Sequence, residues 1–479
     1  MDAILYWNNV SLEANRISHT NSKDEQTGPT LSSRALAIVH LAMYDALAGI
    51  ANNPSFSHYL TGLPVPSPLA SADAAVAGAA YTTLLSLFPS QQDLFDTRLS
   101  AANLLDPGLN EGFDYGRSAA LAILDDRKSD PDAKAGGYVP SISRGKHRPD
   151  PDNNNQGYHA PYYGAGSKCF SVSARHSLNP PPQPGDADYT SALREARSKG
   201  IAPELMATVP AITLSVPPIT RRTIDQTVIG IYWGYDGASG LGTPPRLYNQ
   251  IIREIALNKL NPNTGALNTP LENARLFAMV NVAMADAGIL AWEQKYIHNF
   301  WRPVLGIREH DPSMGPSGVG SNNIDNDCHS LWLPLGAPST NSSKKNFTPP
   351  FPAYPSGHAT FGAAAFHITR LFYGVPSGDR NPDNLFQSLT FVSDEMNGVN
   401  KDNKGTMRPR HVRNFPGGLW QMIEENGRSR VYLGVHWAFD AFKVDNGNSP
   451  IFDQKTGGVD LGLAIAEDIY SNGMTKSTV

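Results

Sequence analysis

Three short clusters in the C-terminal half carry the residues that could do chemistry. They are Lys295 with Arg302-Pro303 seven positions on, then Pro355-Ser356-Gly357-His358, then Ser429-Arg430 followed by Gly434, His436 and Asp440. Together they offer three cations, a hydroxyl beside a glycine, and two histidines. Such an inventory suits an oxyanion with phosphate or vanadate geometry. A planar guanidinium contacts two oxygens at once, and lysine adds a compact charge. The Ser-Gly pair supplies a hydroxyl and unhindered backbone N–H groups. One imidazole can act as ligand or nucleophile while the other moves protons.

Each cluster alone has an ordinary explanation: a capped turn, a basic helix end favoured by the dipole, a hydrogen-bonded structural histidine. All three in this order favour the functional reading. Seven residues advance a helix by nearly two turns, which keeps Lys295 and Arg302 near one face. The aromatic neighbours Trp292, Tyr296, Phe300 and Trp301 point to a semi-buried pocket. A helix opening at Ala359 would aim its free N–H groups at an anion held by Ser356 and Gly357, with His358 on the same turn. Gly434 permits close approach, and Asp440, four positions after His436, would orient the imidazole if that segment is helical.

These clusters resemble the tripartite signature of the type 2 phosphatidic-acid-phosphatase superfamily, which holds acid phosphatases and vanadium-dependent haloperoxidases. Longer stretches are similar to the fungal-type vanadium chloroperoxidases: Ile231-Tyr-Trp-Gly-Tyr-Asp-Gly237, Thr243-Pro-Pro-Arg246, the run from Pro349 to Gly362, Asp394-Glu-Met-Asn-Gly398 and Leu433 to Asp440. Tyr6-Trp7-Asn8-Asn9 and Ser33-Arg34-Ala35-Leu36 also look like that family's N-terminal region. The resemblance implies one vanadate per chain, caged by Lys295, Arg302, Ser356, Gly357 and Arg430 and tethered to His436. It implies hydrogen peroxide as oxidant, with His358 moving its proton, Lys295 polarising it, and halide leaving as hypohalous acid to meet small organic acceptors. Asp236 would pair with an arginine, since a buried unpaired guanidinium is costly. Trp292 and Phe351 match the aromatic walls of chloroperoxidases, which implies chloride oxidation alongside bromide and iodide. Phosphate is expected to compete with vanadate. The alternative is a soluble acid phosphatase, with His436 as nucleophile and His358 as general acid. His298 has no place in this scheme.

The chain is long enough, at 479 residues, to bury a sizeable core. A net charge of −5 argues against a nucleic-acid surface. The basic run from Arg408 to Arg413 reads as a solvated loop. Cys169 and Cys328 cannot make a disulfide framework, and no Cys/His spacing reads as zinc. No secretory signal is visible at the start. The most apolar stretch, Leu276 to Trp292, is broken by Asn281 and Asp286 and falls short of a membrane span. The expectation is a soluble protein, which removes the membrane phosphatases, with its cellular compartment undetermined.

The elements that must position the clusters read as helices. Ser32-Ser33 caps a run through Ala48, and further runs span Ser71–Leu87, Ser90–Leu104 and Gly112–Asp125. From about 127 to 188 the texture turns to Pro, Gly, Asn and Asp, a long irregular segment whose Asp/Asn run reads as turns. Helices resume at Tyr189–Ala196 and Thr220–Trp233. Thr243 caps a helix through Leu257 with proline in its first turn. Leu271–Asn299 carries Lys295 and is stopped by Pro303. Ala359–Tyr373 and Leu419–Leu433 are the last strong helices before a looped tail. The expected fold is mainly α, with two related helical bundles and long loops: residues 1–200, and 201–479 carrying the site. Arg34, His40 and Asp45 echo the spacing of Arg430 and His436, and read as structural contacts because neither other cluster accompanies them.

Overall fold

A computed structural model describes residues 2–105, 107–208 and 220–479. The fold is mainly α. In chain order the helices are α1 (Ala3–Ser18), α2 (Gly28–Ala51), α3 (Ala72–Leu87), α4 (Gln92–Ala101), α5 (Leu109–Asp126), α6 (Tyr163–Gly166) and α7 (Ala187–Lys199). They continue as α8 (Ile224–Tyr232), α9 (Pro244–Asn258), α10 (Pro270–His298), α11 (Pro303–Arg308), α12 (Gly357–Phe372), α13 (Gly418–Tyr432) and α14 (Gly457–Ser471). Two short antiparallel ribbons, Leu389–Phe391 with Arg413–Phe415 and Lys443–Val444 with Pro450–Ile451, are the strand pairs among the described residues.

α10 is the spine. Thr269 and Glu272 form a capping box at its start, Pro270 occupies the first turn, and Asn299 ends it in the left-handed conformation. The helix therefore stops four residues before Pro303, at the residue that can adopt positive φ. It is apolar on all sides because it lies between α2 and α12. Both α2 and α10 are long and apolar enough to cross a membrane, which corrects the shorter span expected for Leu276 to Trp292. Their apolar windows are 83% and 94% buried inside the fold, so they serve as core helices here.

α2, α3 and α5 pack on one another, and α12 packs on α13 and α14. α14 is a correction to the expected looped tail. Gly457, Gly458 and Gly462 dilute its helical signal, yet they let it lie directly on α12. A Cβ at Gly458 would sit 2.4 Å from the Ser356 carbonyl, and one at Gly462 would sit 2.5 Å from that of Thr360.

Other expectations shift in register. α2 begins at Gly28-Pro29, so Ser32 and Ser33 are buried inside it rather than capping it. Thr243 precedes α9, but its hydroxyl donates to Asn15 instead of capping. The basic run is not simply solvated. Arg408 pairs with buried Glu395 at 2.6 Å, and Arg413 pairs with Glu425 at 2.7 Å. The echo near the N-terminus is structural. Arg34 binds Asp130, buried His40 bridges Leu36 and Asn8, and Asp45 accepts the N–H groups of Tyr59 and Leu60.

Candidate functional site

The three clusters meet. Lys295 near the end of α10, Arg302 at the start of α11, Ser356 to His358 at the start of α12, Arg430 near the end of α13 and His436 on the following loop are all buried. Ser356 is the N-cap of α12, its hydroxyl accepting from the Ala359 N–H. Gly357 is the first helical residue, and a Cβ there would press on the Trp292 ring at 3.2 Å. The first-turn N–H groups of α12 have no carbonyl inside the helix to bind.

His436 is held at both ring nitrogens. Nδ1 lies 2.7 Å from Asp440 Oδ2, and Arg302 Nη1 donates to Nε2 at 2.8 Å. Because a guanidinium has only donors, Nε2 must offer its lone pair and the ring proton sits on Nδ1. Burial, then the charges of Arg302, Lys295 and Arg430, hold this imidazole neutral, well below its ordinary pKa. Asp440 is on a 3-10 turn, Ala438–Asp440, rather than on an α-helix with His436. The pairing expected from an i,i+4 helical spacing is thus made by a tight turn. The Trp437 N–H also donates to Oδ2, at 3.0 Å, opposing the burial that pushes the Asp440 carboxyl up to about 7.

Arg430 makes a two-pronged pair with Asp236, at 2.7 and 3.1 Å. Within the site, the guanidinium donors Arg430 Nε and Arg302 Nη2 are buried and have no hydrogen-bond partner among the described residues. Leaving such donors dry and unpaired costs free energy. With the α12 N-terminus they form a donor set suited to a compact oxyanion, next to His436 Nε2, whose lone pair accepts from Arg302 Nη1.

Lys295 behaves differently. Its ammonium donates to the carbonyls of Pro352, at 2.9 Å, and Ala353, at 3.1 Å, and also to that of Pro355. It clamps the loop entering Ser356, while burial, then the Arg302 charge, hold its pKa well below the ordinary lysine range. His358 gives Nε2–H to the Gly234 carbonyl at 2.7 Å, leaving Nδ1 as acceptor. Burial, then Arg430, lowers its pKa to about 3.

The site floors a cavity of about 280 Å³, whose lining includes Gly28, Pro349 and Phe347. Trp292 and Phe351 stand together on one wall, ring centroids 4.9 Å apart. Arg302 lies 4.9 Å and the Lys295 ammonium 5.1 Å from the Phe351 ring centre. His298, unplaced from sequence, packs edge-on against Tyr354 at 5.1 Å, and does not line the cavity. His159, from the irregular segment, does line it, and sequence reasoning missed it. No motif spacing links His159 to the clusters.

A model of the vanadium chloroperoxidase N-terminal domain matches residues 1–168, and one of that family's second helical-bundle domain matches residues 275–447. Vanadium chloroperoxidase from Curvularia inaequalis is 35% identical over 98% of this chain and 90% of its own length. The chain belongs to the vanadium chloroperoxidase family. As a member it is an enzyme of the haloperoxidase class. A bacterial vanadium-dependent iodoperoxidase shares the fold, with a TM-score of 0.64 at 18% identity over 98% of this chain and 96% of that one. So does a holo-type bacterial vanadium-dependent chloroperoxidase, with a TM-score of 0.62 at 18% identity over 95% of this chain and 96% of the other.

Proposed function

We propose that this vanadium haloperoxidase oxidises halides, chloride included, with hydrogen peroxide to hypohalous acid, holding one vanadate at His436. The observation that supports the reading is the pair of buried guanidinium donors without a partner among the described residues, Arg302 Nη2 and Arg430 Nε, beside a neutral imidazole whose Nε2 lone pair is held by Arg302 Nη1 and would have to exchange that contact for the anion. Vanadate, when bound, supplies Lewis-acid activation of peroxide without a change of oxidation state.

The chain's own residues divide the remaining tasks. Arg302, Arg430 and the α12 N-terminus neutralise the anion, Ser356 and Gly357 line its edge, and Asp440 fixes the His436 tautomer. Asp236 holds the Arg430 guanidinium by its two terminal nitrogens, which leaves Nε for the anion. His358 Nδ1 accepts a proton from the oxidant, and a bound anion would raise its pKa by offsetting Arg430. Lys295 fixes the loop that carries Ser356 through its three carbonyl contacts. Trp292 and Phe351 make the halide wall dry, which strengthens the pull of the cations and favours chloride, the hardest of the three to oxidise. Small organic acceptors would take up the halogen, and phosphate would compete for the cage.

Steady-state assays of the vanadate-loaded enzyme across chloride, bromide and iodide test this reading. Turnover of all three at mildly acidic pH is expected. Bromide turnover with no chloride turnover would refute the chloride assignment and leave the class intact.

A further inference from the structure

His159 enters the cavity wall from the long irregular segment and is clamped there. Its N–H donates to the Pro350 carbonyl at 2.8 Å. Its own carbonyl accepts from Tyr296 Oη at 2.6 Å and from Trp292 Nε1 at 3.3 Å. The ring fills the space left by Gly28, where a Cβ would come within 2.6 Å of Cε1. It meets Trp292 edge-on at 6.0 Å and Phe351 at 6.1 Å, so it completes the same aromatic wall.

That wall is short of donors. A halide pressed against apolar rings loses its hydration and needs at least one N–H or O–H directed at it. The Trp292 N–H and the Tyr296 hydroxyl are already given to the His159 carbonyl, and the Lys295 ammonium holds three carbonyls. Phe351 and the prolines have nothing to give. The His159 ring keeps one nitrogen in reserve. Nε2 lies 3.2 Å from Thr30 Oγ1, whereas Nδ1 has no hydrogen-bond partner among the described residues. When the Thr30 hydroxyl donates to Nε2, the ring proton sits on Nδ1.

The geometry points to His159 Nδ1–H as the donor that binds halide on this wall, and so to a specificity-determining residue that sequence motifs do not mark. The inference rests on the haloperoxidase reading above. Burial lowers the His159 pKa to about 4, so at mildly acidic pH the ring offers a neutral N–H rather than a full charge. Such a donor discriminates most strongly for the small, tightly hydrated chloride and least for iodide.

The test compares the vanadate-loaded parent with His159→Phe, His159→Asn and Thr30→Val. His159→Phe should raise the chloride KM by roughly 10- to 100-fold, the worth of one hydrogen bond to a charged group. The iodide KM should rise less, and the peroxide KM and vanadate Kd should hold. His159→Asn, whose amide can restore an N–H, should recover part of the loss. Thr30→Val should raise the chloride KM by a smaller factor by freeing the tautomer. Bromide-soaked crystals give a readout independent of turnover: an anomalous peak within hydrogen-bond distance of Nδ1 in the parent, gone in His159→Phe. Unchanged halide KM in His159→Phe and Thr30→Val, or a bromide peak on another group, overturns the inference. Should His159→Phe fail to fold, Thr30→Val and the parent's bromide peak decide it. A parent with the peak at Nδ1 but no vanadate-dependent turnover would instead sink the haloperoxidase reading and leave the halide site standing.

Discussion

At the scale of residues, the two histidines of the site differ in which ring nitrogen is the acceptor. His436 keeps the Nε2 lone pair toward the guanidinium donors, and His358 spends Nε2–H on a carbonyl and keeps Nδ1. If His436 is the proposed ligand, the His436→Ala variant should lose vanadate affinity by on the order of 100-fold or more. His358→Ala should bind vanadate nearly as well and lose turnover by about 10²- to 10⁴-fold, the usual worth of a general acid–base group. Equilibrium dialysis of vanadate alongside single-turnover rates separates the two, and equal vanadate affinity in both variants would reverse the assignment. That the three clusters meet was legible in sequence because their residues stand in short, ordered groups, with type and spacing both constrained. Two things were not legible. Nothing in Lys295's spacing says that three loop carbonyls surround its ammonium. His159 reaches the cavity through contacts with Gly28 and Thr30, more than a hundred residues away in the chain, and no local pattern encodes such a pairing.

At the scale of elements, the loop between α13 and His436 turns on Gly434. Its φ is +74°, and a Cβ there would lie 2.4 Å from the Gly200 carbonyl. Gly434→Ala should cost about 1–3 kcal/mol of stability through backbone strain, and should displace the imidazole that follows. Urea unfolding and vanadate titration should both move. A variant with parental stability and affinity would show that the loop tolerates the shift. Helix legibility followed capping. The runs Leu271–Asn299 and Ser71–Leu87 lie within a residue or two of the starts of α10 and α3, where the structure shows a capping box at Thr269 and Glu272 and a cap at Ser71. α14 was missed because glycines that weaken a helix locally are what its packing on α12 requires. The start of α2 was misplaced because serines suited to capping are here buried, Ser32 accepting from Asn15 and Ser33 donating to Thr30.

At the scale of the whole molecule, burying so many titratable groups makes stability depend on pH. Burial lowers His40 and His159 to about 4 and His358 to about 3, and takes His147 and His436 lower than their ordinary range. Each favours the fold above the unfolded value near 6.5, and that contribution is lost as pH falls through the window down to about 4. Burial also raises Asp45, Glu395 and Asp440 to about 7, which favours the fold below pH 4 and is lost as pH rises to 7. Six further histidines are lowered and five further carboxyls raised by burial, so the lowered histidines outnumber the raised carboxyls and the urea midpoint should fall between pH 6.5 and pH 4.5. His40→Gln, by removing a group worth on the order of 3 kcal/mol across that range, should fall less steeply. A midpoint that holds steady or rises on acidification in the parent would contradict this balance. The central claim, that the buried donor set exists to hold vanadate for halide oxidation, has a direct measurement. Vanadate-free protein is given hydrogen peroxide, halide and a phenolic indicator, and orthovanadate is titrated in, without and with phosphate. Halogenation that begins with vanadate, saturates, and is competitively suppressed by phosphate is the predicted result. No response to vanadate, together with brisk hydrolysis of a phosphate ester, would contradict it.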